Sequence, residues 1–295
     1  MFTKAIENAT NYTRAIHTIS RNYLSNEINA GSATIFFINE DGYALTCKHV
    51  AEMMIHSEKM NAKYLEFKNE KEKLQKDDHF EISLSALEKK YNFNNDTTIE
   101  LRTNFVGCVD HISGFNIHLH PTLDLAIVKF NGFHNIHYKQ CATFLKNTDN
   151  IKQGKFLCRL GFPFPEFNNF YFNKDKDCLE WTNSGNSISP SFPIEGMITR
   201  FLGDSINGIF GIEMSTPGLR GQSGGPLFDE NGCIYGMQFS TKHLHLGFDV
   251  EDKEIVINNK TKKISDYSFI HLGQCIHVNV IKDFLQKHNV NYFEV

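Results

Sequence analysis

The sequence predicts an all-β fold with a helix at each end. Three features carry this reading. Short apolar runs of strand length recur along the chain, turn residues punctuate them, and no helical pattern alternates with them. Many short strands without intervening helices fit a sandwich or a barrel better than a wound α/β sheet.

Residues 3–28 lack glycine and proline, and Ala5, Ile6, Ala9, Tyr12, Ile16, Ile19 and Tyr23 recur at helical intervals. That spacing predicts a helical extension, residues 1–29, packed on the body of the fold. From Gly31 the texture changes. Ala33–Ile38 is an apolar run, Asn39-Glu40-Asp41-Gly42 follows, and Tyr43–Thr46 resumes the strand pattern. Asp-Gly between two such runs predicts a hairpin, because both residues tolerate the positive φ of its turn. Residues 57–78 are dense in Lys and Glu and read as a solvated helix or loop insertion. Further strand-like runs lie at Phe80–Leu84, Thr98–Val109, Leu125–Phe130, Phe156–Leu160, Gly196–Phe201, Ile209–Met214, Cys233–Phe239 and Ile255–Ile257. Turns such as Asp229-Glu230-Asn231-Gly232 separate them. Residues 278–288 close the chain as a helix with Val280, Ile281, Phe284 and Leu285 on one side.

Composition removes several functions. The 295 residues can bury a core without disulfide staples. With 30 basic and 34 acidic residues the net charge is −4, which lacks the basic footprint of a nucleic-acid binder. No apolar run approaches the ~20 residues a spanning helix needs, so no membrane partner is expected. The N-terminus has no apolar core of a secretory signal. The seven cysteines are odd in number and scattered, as reduced, mostly buried thiols are. These readings place the protein in the cytoplasm. No P-loop or dinucleotide fingerprint occurs, and no cofactor is expected.

The chemistry concentrates in three segments. In Arg220-Gly221-Gln222-Ser223-Gly224-Gly225-Pro226-Leu227 a serine sits among glycines, which allow a tight exposed turn. The amides of Gly221 and Ser223 could then face one oxyanion. Ala44-Leu45-Thr46-Cys47-Lys48-His49 ends a strand on a histidine, a base suited to take a serine's proton. Thr122-Leu123-Asp124-Leu125-Ala126-Ile127 opens an apolar strand with an aspartate. A carboxylate there needs a hydrogen-bond partner, and a histidine N–H supplies one.

Together these segments resemble a known family, the trypsin/chymotrypsin-like serine peptidases, in the style of the bacterial HtrA-like branch. Gly31-Ser32-Ala33-Thr34-Ile35-Phe36-Phe37, Thr46-Cys47-Lys48-His49-Val50, Asp124-Leu125-Ala126-Ile127-Val128-Lys129, Gly161-Phe162-Pro163, Gly221–Leu227 and Cys233–Phe239 carry the resemblance. The order His, Asp, Ser agrees with this family and not with subtilisin-like enzymes or α/β-hydrolases. The resemblance implies two six-stranded antiparallel β-barrels with the site between them. The first would span residues 30–147 and the second, with the C-terminal helix, residues 148–295. Ser223 would be the nucleophile, His49 the general base and Asp124 its orienting carboxylate. Gln238, Phe239, Ser240 and Thr241 would wall the pocket for the substrate side chain, with Arg220 at its mouth. The partner implied is a protein or peptide substrate.

The sequence departs from the family in three ways. Gln222 replaces the aspartate that pairs with a freshly cut N-terminus in secreted relatives, and no activation-cleavage motif precedes the first barrel. No PDZ-length region follows Ser223. Glutamate-cutting relatives place histidine where Gln238 falls, so the motif does not indicate that specificity. Without a zymogen device, a regulatory protein partner or a homo-oligomer is expected to gate activity. A catalytically idle binding module and an esterase-type acyl hydrolase use the same residues and stand as alternatives. Ser223 also satisfies Gly-x-Ser-x-Gly, but Gly224-Gly225-Pro226 oppose the helix that motif needs. The pairs His118/His120 and His243/His245 lack a further ligand at motif spacing, and no metal is expected there.

Overall fold

The computed structural model describes residues 2–206, 208–257 and 260–295. Two β-sheets follow one another along the chain. The first is built from β1 (Thr13–Asn22), β2 (Asn29–Phe37), β3 (Tyr43–Thr46), β4 (Thr98–Phe105), β5 (Gly114–Leu119) and β6 (Ala126–Asn131). Its order is β4-β1-β2-β3-β6-β5, every pairing is antiparallel, and β4 and β5 are left as its edges. Ile16, Ile35, Phe37 and Phe130 share one face of this half-barrel and Phe36, Leu45 and Ile127 the other, and all of them are buried.

The remaining strands are β7 (Thr143–Phe144), β8 (Phe156–Gly161), β9 (Phe170–Asn173), β10 (Cys178–Trp181), β11 (Phe192–Asp204), β12 (Gly208–Met214), β13 (Pro226–Phe228), β14 (Cys233–His245), β15 (Val250–Ile257), β16 (Lys260–Asp266), β17 (Phe269–His277) and β18 (Phe293–Glu294). Six of them close into a ring, β13-β8-β11-β12-β17-β14, because β13 pairs with both β8 and β14. Full closure leaves that ring no open edge. The short β7 and β18 add to its outside, and β9–β10 and β15–β16 form two-stranded sheets of their own. Of the two expected six-stranded barrels, the second is closed and the first is an open six-stranded half-barrel.

Four α-helices lie among the described residues: α1 (Thr3–Tyr12), α2 (Lys48–Glu72), α3 (Phe80–Tyr91) and α4 (Val278–Lys287). The expected N-terminal helical extension holds only as far as Tyr12. Thr13–Asn22 is a central strand, paired on both sides. Ile16, Ile19 and Tyr23 imitate helical spacing, but β-branched Thr13, Ile16, Thr18 and Ile19 favour an extended chain, and both faces of the strand are buried. Phe80–Leu84 was expected as a strand and is helical. Its alternation is continued by Leu84, Leu87 and Tyr91 at helical intervals, packed in a second core with Tyr64, Phe67 and Tyr23.

The charged insertion is thus a hairpin of α2 and α3 laid on β4. Phe67 anchors it, ringed by Tyr23, Tyr91 and Phe93 at edge-on angles. Asn61 on α2 binds the edge strand as a neighbouring strand would. Its side-chain amide donates to the Leu101 carbonyl at 2.8 Å and accepts from the Leu101 N–H at 3.0 Å.

His17 on β1 is fully buried, stacked on Phe167 at 3.9 Å, with neither ring nitrogen partnered among the described residues. Burial lowers its pKa to about 4. The unfolded chain binds that proton at an ordinary histidine pKa, so between pH 6.5 and 4 it holds more protons than the native state, and stability is lost as the pH falls through that window. His277, also buried and lowered to about 4, adds to the same slope. We expect His17→Phe to flatten urea-unfolding stability across that window, and an unchanged slope would remove His17 as its source.

Candidate active site

His49 stands where β3 runs into α2. Cys47 is the helix N-cap in extended conformation and offers no capping bond from its own side chain. Asp124 does the capping from across the sheet. Its Oδ1 accepts the His49 backbone N–H at 2.9 Å, and its Oδ2 lies 2.7 Å from the ring Nδ1. A helix start leaves orphan amides that favour an anion, so one carboxylate satisfies the backbone and aligns the imidazole together. Nε2 is the nitrogen left over.

The turn that delivers Asp124 is organised by His120. Its Nδ1 accepts the N–H groups of Thr122 and Leu123 at 3.3 and 3.0 Å. Burial, then Lys287 and Lys48, lowers the His120 pKa, which favours the neutral, accepting ring. Nothing in the sequence marks this positioning role, which rests on the contacts of the folded turn.

The serine turn is held by the first sheet. The buried Thr34 of β2 donates its N–H to the Ser223 carbonyl at 3.0 Å and its hydroxyl to the Gly221 carbonyl at 2.6 Å. The amides of Gln222, Gly224 and Gly225 are spent on Leu219, Gln238 and Gln222 carbonyls. Those of Gly221 and Ser223 have no acceptor among the described residues. Gly221 and Gly224 both hold positive φ, at 89° and 88°. A Cβ on Gly224 would come within 2.1 Å of the Thr34 carbonyl and 2.5 Å of Thr46 Oγ1. The turn therefore lies directly on the strand that leads to His49. No hydrogen bond joins the half-buried Ser223 side chain to His49 among the described residues. Such contacts are often long until substrate arrives.

A profile of the trypsin-like peptidase domain matches residues 31–237. The chain belongs to the trypsin-like peptidase family. Two solved structures of the HtrA-type protease AlgW are similar to this trypsin-like peptidase. The one with a decapeptide has a TM-score of 0.48 at 13% identity, and the one with a tripeptide 0.45 at 14%. Each alignment covers 97% of this chain, and 66% and 62% of the respective AlgW chains, so this chain spans somewhat under two thirds of their length. No curated protein matched.

Cys47 Sγ, His49 and Asp124 are the one cluster of three metal-ligating side chains among the described residues, their atoms within 4.8 Å of one another. The donor chemistry does not suit a metal. Both Asp124 oxygens are engaged by His49, and the Cys47 thiol donates to the Gln238 carbonyl at 3.3 Å. Burial, reinforced by Asp124, pushes that thiol well above its ordinary value, away from the thiolate a metal or a nucleophile needs. The other histidine pairs disperse. His118 packs on His288, His243 Nδ1 lies 2.6 Å from His271 Nδ1, and His245 pairs with Asp249.

The expected pocket wall of this trypsin-like peptidase follows the serine in β14. Thr241 Oγ1 donates to the Gly218 carbonyl at 2.7 Å and accepts from the Gly218 N–H, which ties β14 to the segment entering the serine turn. Ser240 accepts from the Gln238 amide, Phe239 packs on the main core, and Arg220 is exposed. The unforeseen member is Arg159 of β8, which reaches Gln238 Oε1 at 2.7 Å. A lone charge in the apolar run Phe156–Leu160 was its signal.

We expect Gly224→Ala to cost at least about 2 kcal/mol, from its left-handed backbone and its clash with Thr34. A melting temperature equal to wild type would contradict that packing. Native protein treated with iodoacetamide is expected to keep its Cys47 unmodified, as read by peptide mass mapping.

Proposed function

We propose that the chain is a serine endopeptidase of the cytoplasm that cleaves protein or peptide substrates through Ser223, His49 and Asp124. One observation carries the proposal. A carboxylate with both oxygens on His49 stands beside a serine turn in which the amides of Gly221 and Ser223 have no acceptor among the described residues.

The chemistry follows from those groups. Ser223 Oγ attacks the scissile carbonyl carbon while His49 Nε2 takes the hydroxyl proton. The new C–O bond pushes the carbonyl pair onto oxygen, and the Gly221 and Ser223 amides stabilise that oxyanion. Asp124 holds Nδ1–H and stabilises the imidazolium without taking its proton. His49 then passes its proton to the amide nitrogen as the C–N bond breaks, which leaves an acyl ester on Ser223. Water repeats the sequence: its oxygen bonds to the acyl carbon as His49 Nε2 takes its proton, the C–O bond to Ser223 then breaks as His49 returns that proton to Oγ, and the acid product leaves.

All seven cysteines are free thiols, which supports a reducing compartment. No described helix is long and apolar enough to cross a membrane. Gating by a protein partner or a second copy is part of the proposal. Thr34 already holds the serine turn, so gating would act on access of a protein substrate. His49 lies in the first turn of the 25-residue α2, and whatever shifts that helix shifts the base.

Fluorophosphonate labelling that disappears in Ser223→Ala is the expected result, and well-folded wild type that never labels would overturn the proposal. Asp124→Asn is expected to lower kcat by about 10⁴ on a cleaved peptide, and near-normal turnover would remove Asp124 from the triad. A panel that finds ester turnover without peptide cleavage would favour the esterase reading.

A further inference from the structure

Behind the serine turn, three segments face one another: Thr216–Arg220 entering the turn, Gln238–Thr241 of β14, and Gly273–Cys275 of β17. Thr241 pairs with Gly273 in the sheet, and Gly273 N–H donates to the Thr216 carbonyl at 2.9 Å. Two glycines leave the slot between them without side chains. A Cβ on Gly218 would meet the Gln238 Nε2 at 2.2 Å, and one on Gly273 would meet an Arg159 terminal nitrogen at 1.9 Å. Polar heads occupy the space the glycines vacate.

Arg159 is fully buried at the base of this slot. Its guanidinium donates to Gln238 Oε1 at 2.7 Å, to the Thr216 carbonyl and hydroxyl at 2.9 and 2.6 Å, and to the Pro217 carbonyl at 3.0 Å. Nε has no partner. Arg159 forms no ion pair with a described carboxylate, and the Cys158 and Cys275 thiols near it are held protonated by burial. Burial pulls the guanidinium below its ordinary value. A buried cation held by neutral dipoles alone is costly, and an arriving anion relieves that cost. The carboxamide oxygen of Gln238 is the one side-chain carbonyl on the guanidinium.

We infer that this slot selects substrates with an acidic residue on the acyl side of the scissile bond, its carboxylate received by Arg159 and the Gln238 amide. The inference rests on the serine-peptidase reading and names the substrate class of the same site. It differs from a histidine-based acidic pocket in that the charge comes from β8, behind β14. A guanidinium is also charged at every working pH, so the preference does not fade as histidine's would.

The test uses peptidyl diphenyl phosphonates that differ only in the acyl-side residue, carrying Glu, Asp, Gln, Leu or Lys. A fluorophosphonate without a side-chain mimic reports the assembled serine. The Glu probe is expected to inactivate at least about tenfold faster than its neutral isostere, the Gln probe. Arg159→Met is expected to bring that ratio close to one. Should it fail to fold, Gln238→Glu, which supplies an internal carboxylate to the guanidinium, is expected to do the same. Fluorophosphonate labelling with equal Glu and Gln rates, or with Leu or Lys fastest, overturns the inference and leaves the serine peptidase standing. An unchanged ratio in Gln238→Glu overturns it as well. No labelling by any probe in folded protein removes the serine-peptidase reading, and the inference with it.

Discussion

The structure turns on a single threonine. Thr34 is fully buried in β2 of the first sheet, yet its N–H and its hydroxyl are both spent on the second, on the carbonyls of Ser223 and Gly221. The carbonyls of both residues face the first sheet, and the N–H groups of the same two residues have no acceptor among the described residues. The same side chain accepts from Phe162 N–H, and its carbonyl accepts from Thr46. Four residues on three other segments therefore share one small side chain and its peptide, which ties the two sheets together at this point. Alanine-sized space at Gly224 would break it, which is why glycine stands there.

Asp124 plays the corresponding part on the other side. Its carboxylate would be expensive at the head of an apolar strand, and a helix start with an unmet amide and an imidazole N–H supplies what it needs. This accounts for how a 25-residue helix follows the base directly. The cap is supplied from outside the helix, so the length that follows costs the site nothing. Cys47, bonded to the Gln238 carbonyl, closes the floor beneath.

Much of this was legible in the sequence, and the limits were physical. His49, Asp124 and Ser223 each sit in a local context that a lone structural residue would not need, so the motif is written in neighbours such as Gly221 and Gly224. Most strands announced themselves as apolar runs between turns. The segment Thr13–Asn22 did not, because a strand buried on both faces loses the alternation that marks a half-exposed one, and its Ile16 and Ile19 fall at helical intervals by accident. Phe80–Leu84 erred the opposite way, since its alternating start is too short to show the helical repeat completed by Leu87 and Tyr91. Arg159 and His120 were out of reach for another reason. Their meaning lies in what they touch, and those partners, Gln238 and the Asp124 turn, are fixed by tertiary closure.

The α2–α3 hairpin has a structural consequence beyond its nearness to His49. The first sheet never closes, and β4 would present a row of unpaired backbone groups to solvent. Asn61 meets the Leu101 N–H and carbonyl as a further rung would. Phe67 and its aromatic neighbours lay the helix over that margin. The lysine- and glutamate-rich stretch that looks like a removable decoration is the selvedge of the sheet. A shortened protein lacking it would keep its serine turn and its ring of six strands, yet expose an adhesive border along which copies could stitch together strand to strand.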